Sequence, residues 1–136
     1  MNAGAGECDL LFVYGTLRRD SAHPMARYLE RVARYLGDAT VAGRLYDLGR
    51  YPGLVGGGPG ERVRGHQFAM DDPAAVLARL DEYEGCPLGE PGPSFFERGL
   101  TEALTADGQT RTAWVYTYQG PLTTAKWIES GEYTIG

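Results

Sequence analysis

An α+β fold with a curled sheet is what this sequence predicts, on three observations. About five runs rich in β-formers are joined mostly by turns. Two further segments repeat apolar residues at helical spacing. No internal repeat or linker divides the 136 residues, a length that suits one domain with a real core.

The elements follow in chain order. Leu10-Leu11-Phe12-Val13-Tyr14 is a short apolar strand, and Gly15-Thr16 turns the chain at its end. From Pro24 to Leu36 the sequence reads as an amphipathic helix, with Met25, Leu29, Val32 and Leu36 on one side. Thr40 to Leu48 is strand-like. Tyr51 to Gly60 is dense in Gly and Pro but lacks a Gly-Lys-Ser/Thr ending and a following helix, so it reads as a flexible hairpin connection, not a phosphate loop. Arg62 to Met70 is the next strand.

Asp72-Pro73 then opens a second helix, with Asp at the N-cap and Pro where its missing N–H costs nothing. Gly85 closes it. Phe95–Leu104 and Thr110–Tyr118 form a hairpin around Ala106-Asp107-Gly108, whose Asp-Gly supplies the turn chemistry. From Gln119 onward an irregular tail with short strand-like pieces is expected.

Composition excludes several functions. A net charge of −5 argues against non-specific nucleic-acid binding, which needs clustered cations. Arg27, Arg31 and Arg34 share one side of the first helix and read as a solvated face. No apolar stretch approaches the ~20 residues of a membrane span, and Met1–Gly6 lacks the basic and apolar regions of a signal peptide. A cytoplasmic location is the default. Cys8 and Cys86 lack metal or redox spacing, and with only His23 and His66 available a Cys–His nucleophile is disfavoured. His66 falls in a strand and reads as structural; His23, before Pro24, reads as a loop residue.

Two segments stand out as chemistry. At ~100° per residue Val76, Leu77, Leu80 and Tyr83 share one sector of the second helix. Glu84, i+4 from Leu80 and i+7 from Leu77, points into that sector. Glu82 points nearly opposite, and Asp81 lies at the edge. A carboxylate turned inward is raised in pKa by desolvation and becomes a useful base near neutral pH. The competing reading is a Glu at a frayed helix end, turned to water or paired with an arginine. The turn Tyr14-Gly15-Thr16-Leu17 offers backbone N–H groups to an anion, with no Cβ at Gly15 in the way. Its competing reading is an ordinary turn leaving a buried strand.

These residues resemble the γ-glutamyl cyclotransferase-like family, which includes γ-glutamylamine cyclotransferases. Tyr14-Gly15-Thr16-Leu17 resembles its Tyr-Gly-Ser/Thr-Leu loop after the first strand. Leu80-Asp81-Glu82-Tyr83-Glu84-Gly85 resembles its Leu-Asp-x-x-Glu-Gly helix end, and Phe96-Glu97-Arg98 its Tyr-x-Arg strand start. Ala113–Tyr118 and Ile128–Tyr133 resemble its last core strand and closing tail. The likeness runs in order over residues 9 to 133. Two departures stand beside the expected site: Phe96 replaces Tyr, and Leu88–Ser94, with two Gly and two Pro, is longer than the usual connection.

The resemblance implies a small mixed β-barrel with helices packed outside it. It implies an enzyme that releases 5-oxoproline and a free amine from a small γ-glutamyl substrate. Tyr14, Gly15, Thr16 and Leu17 would bind the γ-glutamyl group, and Glu84 would be the catalytic acid/base. No metal or organic cofactor is required, and no nucleic acid or membrane partner is expected; the protein would act as a monomer or homodimer. A catalytically inactive ligand-binding or protein-interaction module on the same fold is the alternative. A third is a hydrolase or transferase in which water or a second amine replaces the internal amino group.

Overall fold

In the computed structural model the described residues are 8–15, 24–48, 52–56, 60–85, 96–123 and 125–132, the side chains of 83–85 excepted. The elements run β1 (Leu10–Val13), α1 (Pro24–Val32), β2 (Ala33–Ala42), β3 (Arg44–Asp47), β4 (Pro52–Val55), β5 (Arg62–Met70), α2 (Pro73–Gly85), β6 (Phe96–Thr105), β7 (Thr110–Tyr118) and β8 (Lys126–Ile128). Five strands close a barrel in the order β1-β5-β2-β6-β7, and β4-β3-β8 form a separate three-stranded sheet. Neighbouring barrel strands are antiparallel except where β7 meets β1, at Leu11 opposite Trp114. The barrel is therefore mixed, as the resemblance implies.

The period-2 alternation of the strands sorts the core into two layers. Leu11, Val13, Phe68, Met70, Trp114 and Tyr116 face outward, where Met25 and Leu29 of α1 and Val76, Leu77 and Leu80 of α2 cover them. Phe12, Ala39, Val41, Val63, Ala103, Ala113 and Val115 form the other layer, with Tyr14, Leu45 and Leu54. Val76, Leu77 and Leu80 form the buried stripe expected on α2, and the side chain of Tyr83, its fourth expected member, lies outside the described set. The N-cap of α2 is also as read: Asp72 Oδ1 accepts from the Ala75 N–H at 3.3 Å.

Three local expectations are corrected. The first helix stops at Val32 instead of Leu36 because the chain passes directly into β2, where Ala33 pairs with Met70. The Val32 carbonyl accepts the Asp71 N–H at 3.0 Å. A long ladder with β5 outweighs the helical propensity of Ala33 and Arg34. Leu36 is consequently 41% exposed, and Arg34 is a strand residue.

Secondly, the run Thr40–Leu48 is broken at Gly43, where φ is +150° and a Cβ would meet Leu54 and the Val55 carbonyl at 2.7 Å. Only glycine turns this corner from the barrel into the small sheet. Thirdly, the presumed loop around residue 53 contains β4, paired with β3 from Arg44–Val55 to Asp47–Pro52. His66 sits in β5 as expected, edge-on to the Tyr35 ring, with Nε2 3.5 Å from Asp38. Among the described residues no helix is long and apolar enough to cross a membrane.

Candidate active site

Strand direction brings the two motifs to one end of the barrel. β1 and β7 run parallel, so Tyr14, just past β1, lies near the end of β7. β6 runs antiparallel to β7 and starts at that same end, with Arg98 opposite Tyr116 and Phe96 opposite Tyr118. Helix α2 finishes at Gly85, ten residues before β6 begins at Phe96.

Tyr116 joins the two. Its backbone carbonyl accepts the Tyr14 hydroxyl at 2.6 Å. Its own hydroxyl donates to Asp81 Oδ1 at 2.6 Å. Tyr14 Oη also accepts the Leu54 N–H at 3.2 Å, which fastens the small sheet to the same point. Tyr14 therefore serves the site as a buried strut. Gly15 is buried as well: a Cβ there would lie 2.7 Å from Cγ of Pro52, the first residue of β4. The missing side chain makes room for Pro52, a reason for glycine that sequence alone did not supply. Thr16 and Leu17, the other half of the expected cradle, lie outside the described residues.

On α2, Asp81 is held by three groups. Arg98 Nε donates to Oδ1 at 2.8 Å and Nη2 to Oδ2 at 3.0 Å, a two-pronged fork, and Tyr116 supplies the third bond. The guanidinium also stacks on Trp114, 4.3 Å from the ring centroid. Trp114, Tyr116 and Arg98 meet because Trp114 and Tyr116 alternate on one face of β7, and Arg98 stands opposite Tyr116 on β6. Partial burial pushes the Asp81 carboxyl up, but the hydrogen bonds from Arg98 and Tyr116, with the guanidinium charge, outweigh it and hold it below its ordinary value. The bond to Asp81 raises the Arg98 guanidinium in turn.

Sequence reading left Asp81 at the edge of the helix and gave Arg98 no task. The signal was present: an alternating Trp-x-Tyr on one strand and an arginine on its hairpin partner. Glu82 is exposed, its side chain 78% accessible and 3.5 Å from Arg79, as the helical wheel requires. Glu84 is on the helix, one turn beyond Asp81, and its side chain lies outside the described set. Phe96 is half-buried against the outer core layer, its ring 5.5 Å from that of Tyr118. Among the described residues no three His, Cys, Asp or Glu side chains gather as metal ligands. The opposite mouth is different in character: the buried Gln67, Arg34 and Arg111 line a hollow there of about 620 Å³.

The family model described as "Gamma-glutamyl cyclotransferase, AIG2-like" matches residues 11–135, and the chain belongs to that family. A putative gamma-glutamylcyclotransferase of Vibrio cholerae is 35% identical over 125 residues, covering 91% of this chain and 94% of the relative. The gamma-glutamylcyclotransferase family protein YtfP of Escherichia coli K12 is 36% identical over 126 residues, covering 90% and 94%. The solution structure of Escherichia coli ytfP superposes with a TM-score of 0.62 at 33% identity, over 91% of this chain and 95% of that one. An AIG2-like protein of Mus musculus (ggact) gives 0.71 at 24% identity, over 93% and 88%, which speaks for the fold alone.

Proposed function

We propose that this protein converts a γ-glutamyl amine or γ-glutamyl amino acid into 5-oxoproline and a free amine. The observation that carries the proposal is Tyr116, whose carbonyl and hydroxyl tie the Tyr14 turn to the helix end that bears Glu84. Family membership supplies the reaction class.

In this reading the α-amino nitrogen of the substrate attacks its own side-chain carbonyl carbon. A C–N bond closes the five-membered ring, and the original amide C–N bond breaks to release the amine. Because attack is intramolecular, the protein mainly folds the substrate into the closing shape, an effect worth ~7–11 kcal/mol in favourable cases. Glu84 takes one proton from the α-ammonium and gives it to the departing amine, so one carboxyl serves both steps; the second proton that the ring nitrogen sheds on becoming an amide leaves with the amine, which departs as an ammonium ion. Backbone N–H groups of Gly15 to Leu17 hold the α-carboxylate and polarise the carbonyl.

Mass spectrometry for 5-oxoproline across a panel of γ-glutamyl compounds tests the reaction. Glu84→Gln is expected to lower turnover at least ~100-fold, the usual worth of a positioned acid/base, with an unchanged melting temperature. Wild-type turnover in Glu84→Gln would remove Glu84 from the mechanism. Binding of a γ-glutamyl compound without any 5-oxoproline would favour an inactive binding module instead, and release of free glutamate would mean that water is the nucleophile.

A further inference from the structure

We infer that the Asp81–Arg98 pair, clamped by Tyr116 and Trp114, is a positioning and charge-setting device for Glu84. The inference rests on the reading of Glu84 as acid/base and assigns a task to side chains that reading does not use. Asp81 and Glu84 are three residues apart on α2, and such positions are neighbours on a helix surface. A lone carboxylate at 81 would oppose ionisation of Glu84; a lone guanidinium reaching that turn would favour it. The fork joins the two charges at 2.8 and 3.0 Å, so the turn next to Glu84 carries no net charge.

Geometry makes this more than a surface ion pair. Asp81 and Arg98 are 42% and 27% exposed, the guanidinium lies on Trp114, and the carboxylate takes a third hydrogen bond from Tyr116. Each charge is held in one orientation by elements from opposite sides: α2 for Asp81, β6 for Arg98, β7 for Tyr116 and Trp114. The other charges on this stretch of α2, Arg79 and Glu82, are exposed and pair with each other at 3.5 Å. Tyr14 approaches from β1, hydrogen-bonded through its hydroxyl to Tyr116 and Leu54. Fixing Asp81 thus fixes the last turn of α2 against the strand that also receives Tyr14.

The test is carbon-detected NMR titration of the Glu84 carboxyl in the resting protein, with no substrate present. Arg98→Gln leaves Asp81 uncompensated and is expected to raise the Glu84 pKa. Asp81→Asn leaves the guanidinium uncompensated and is expected to lower it. Each shift should be roughly half a unit to two units at helix-neighbour distance. The double variant Asp81→Asn/Arg98→Gln should return within a few tenths of a unit of wild type. So should Arg98→Lys, which keeps the charge and loses the fork; it serves if a neutral variant does not fold.

Shifts of one sign in both single variants, no shift in either, or a shift in Arg98→Lys as large as in Arg98→Gln would overturn the inference. The titration stands apart from the reaction: absence of 5-oxoproline from wild type overturns the proposed function and leaves the titration to decide the charge-setting role.

Discussion

The turn after β1 and the last turn of α2 meet at one carbonyl and one hydroxyl of Tyr116, yet they are held by opposite physics. Tyr14 is 7% exposed, and Gly15 is closed off by the Pro52 ring. Asp81 is half in water and held by charge. The first region resists any change of volume. The second tolerates changes of volume but answers to pH and salt. Tyr14 and Gly15 are thus held by packing, while Asp81 is held by charge.

The sharpest way to break this contrast is Gly15→Val. Its Cβ would sit 2.7 and 3.0 Å from Cγ and Cδ of Pro52. Overpacking of this kind costs about 1–3 kcal/mol. Sequence reasoning expects a ligand to be obstructed and the turn's backbone to be restricted; the structure adds Pro52 as the first obstacle. Both the melting temperature and calorimetric affinity for a γ-glutamyl analogue should therefore fall. An unchanged melting temperature would mean that β4 moves freely away from the turn.

Tyr14→Phe comes next. It removes the partner of the Tyr116 carbonyl and of the Leu54 N–H, both interior groups. Unsatisfied buried groups cost about 1–3 kcal/mol. The loss is read by urea unfolding at neutral pH. Stability equal to wild type would mean that other groups satisfy the carbonyl and the N–H.

Much of this was legible in the residues. Strand alternation, the Asp72 cap and the Val76–Leu77–Leu80 stripe all have local causes, and each element recurs where spacing put it. The early end of α1 did not, because Val32–Tyr35 is helical by spacing and becomes a strand only through pairing with β5, far along the chain. β4 was hidden for the same reason: Pro52-Gly53 looks like turn chemistry until β3 pairs with it. In the site, residue types and helix faces could be read, including the exposed Glu82. What could not be read was that Asp81, Arg98, Trp114 and Tyr116 meet, since the meeting depends on hairpin register and on where α2 docks. A barrel rather than an open sheet also lay beyond propensity, and came from the family resemblance.

Asp81→Asn sharpens the other side of the comparison. The folded Asp81 carboxyl is held below its unfolded value of ~3.9 by Arg98 and Tyr116. A depressed pKa stabilises the fold above the unfolded value, and that contribution disappears as pH falls through the folded value. Wild type should therefore exceed Asp81→Asn by about 1 kcal/mol near neutrality. The two should converge in acid as pH falls through the folded value, and high salt should narrow the gap. Equal stability at all pH values would leave the fork without a stabilising role.

The smallest effect is expected one residue further on. Glu82 also carries a carboxylate beside an arginine, but its side chain and that of Arg79 are 78% and 56% exposed, and their single contact is 3.5 Å. Such pairs contribute about 0.2–0.5 kcal/mol on a helix. Glu82→Gln should leave urea stability within about 0.5 kcal/mol, with turnover and its pH profile changed less than about twofold. The comparison with Asp81→Asn is informative because both variants delete one negative charge from the same turn of α2. If helix-wide charge governed the site, the two would shift the acid limb of activity alike. If the fork and its tyrosine govern it, only Asp81→Asn will, because only there does removing the carboxylate free a guanidinium pinned by Trp114.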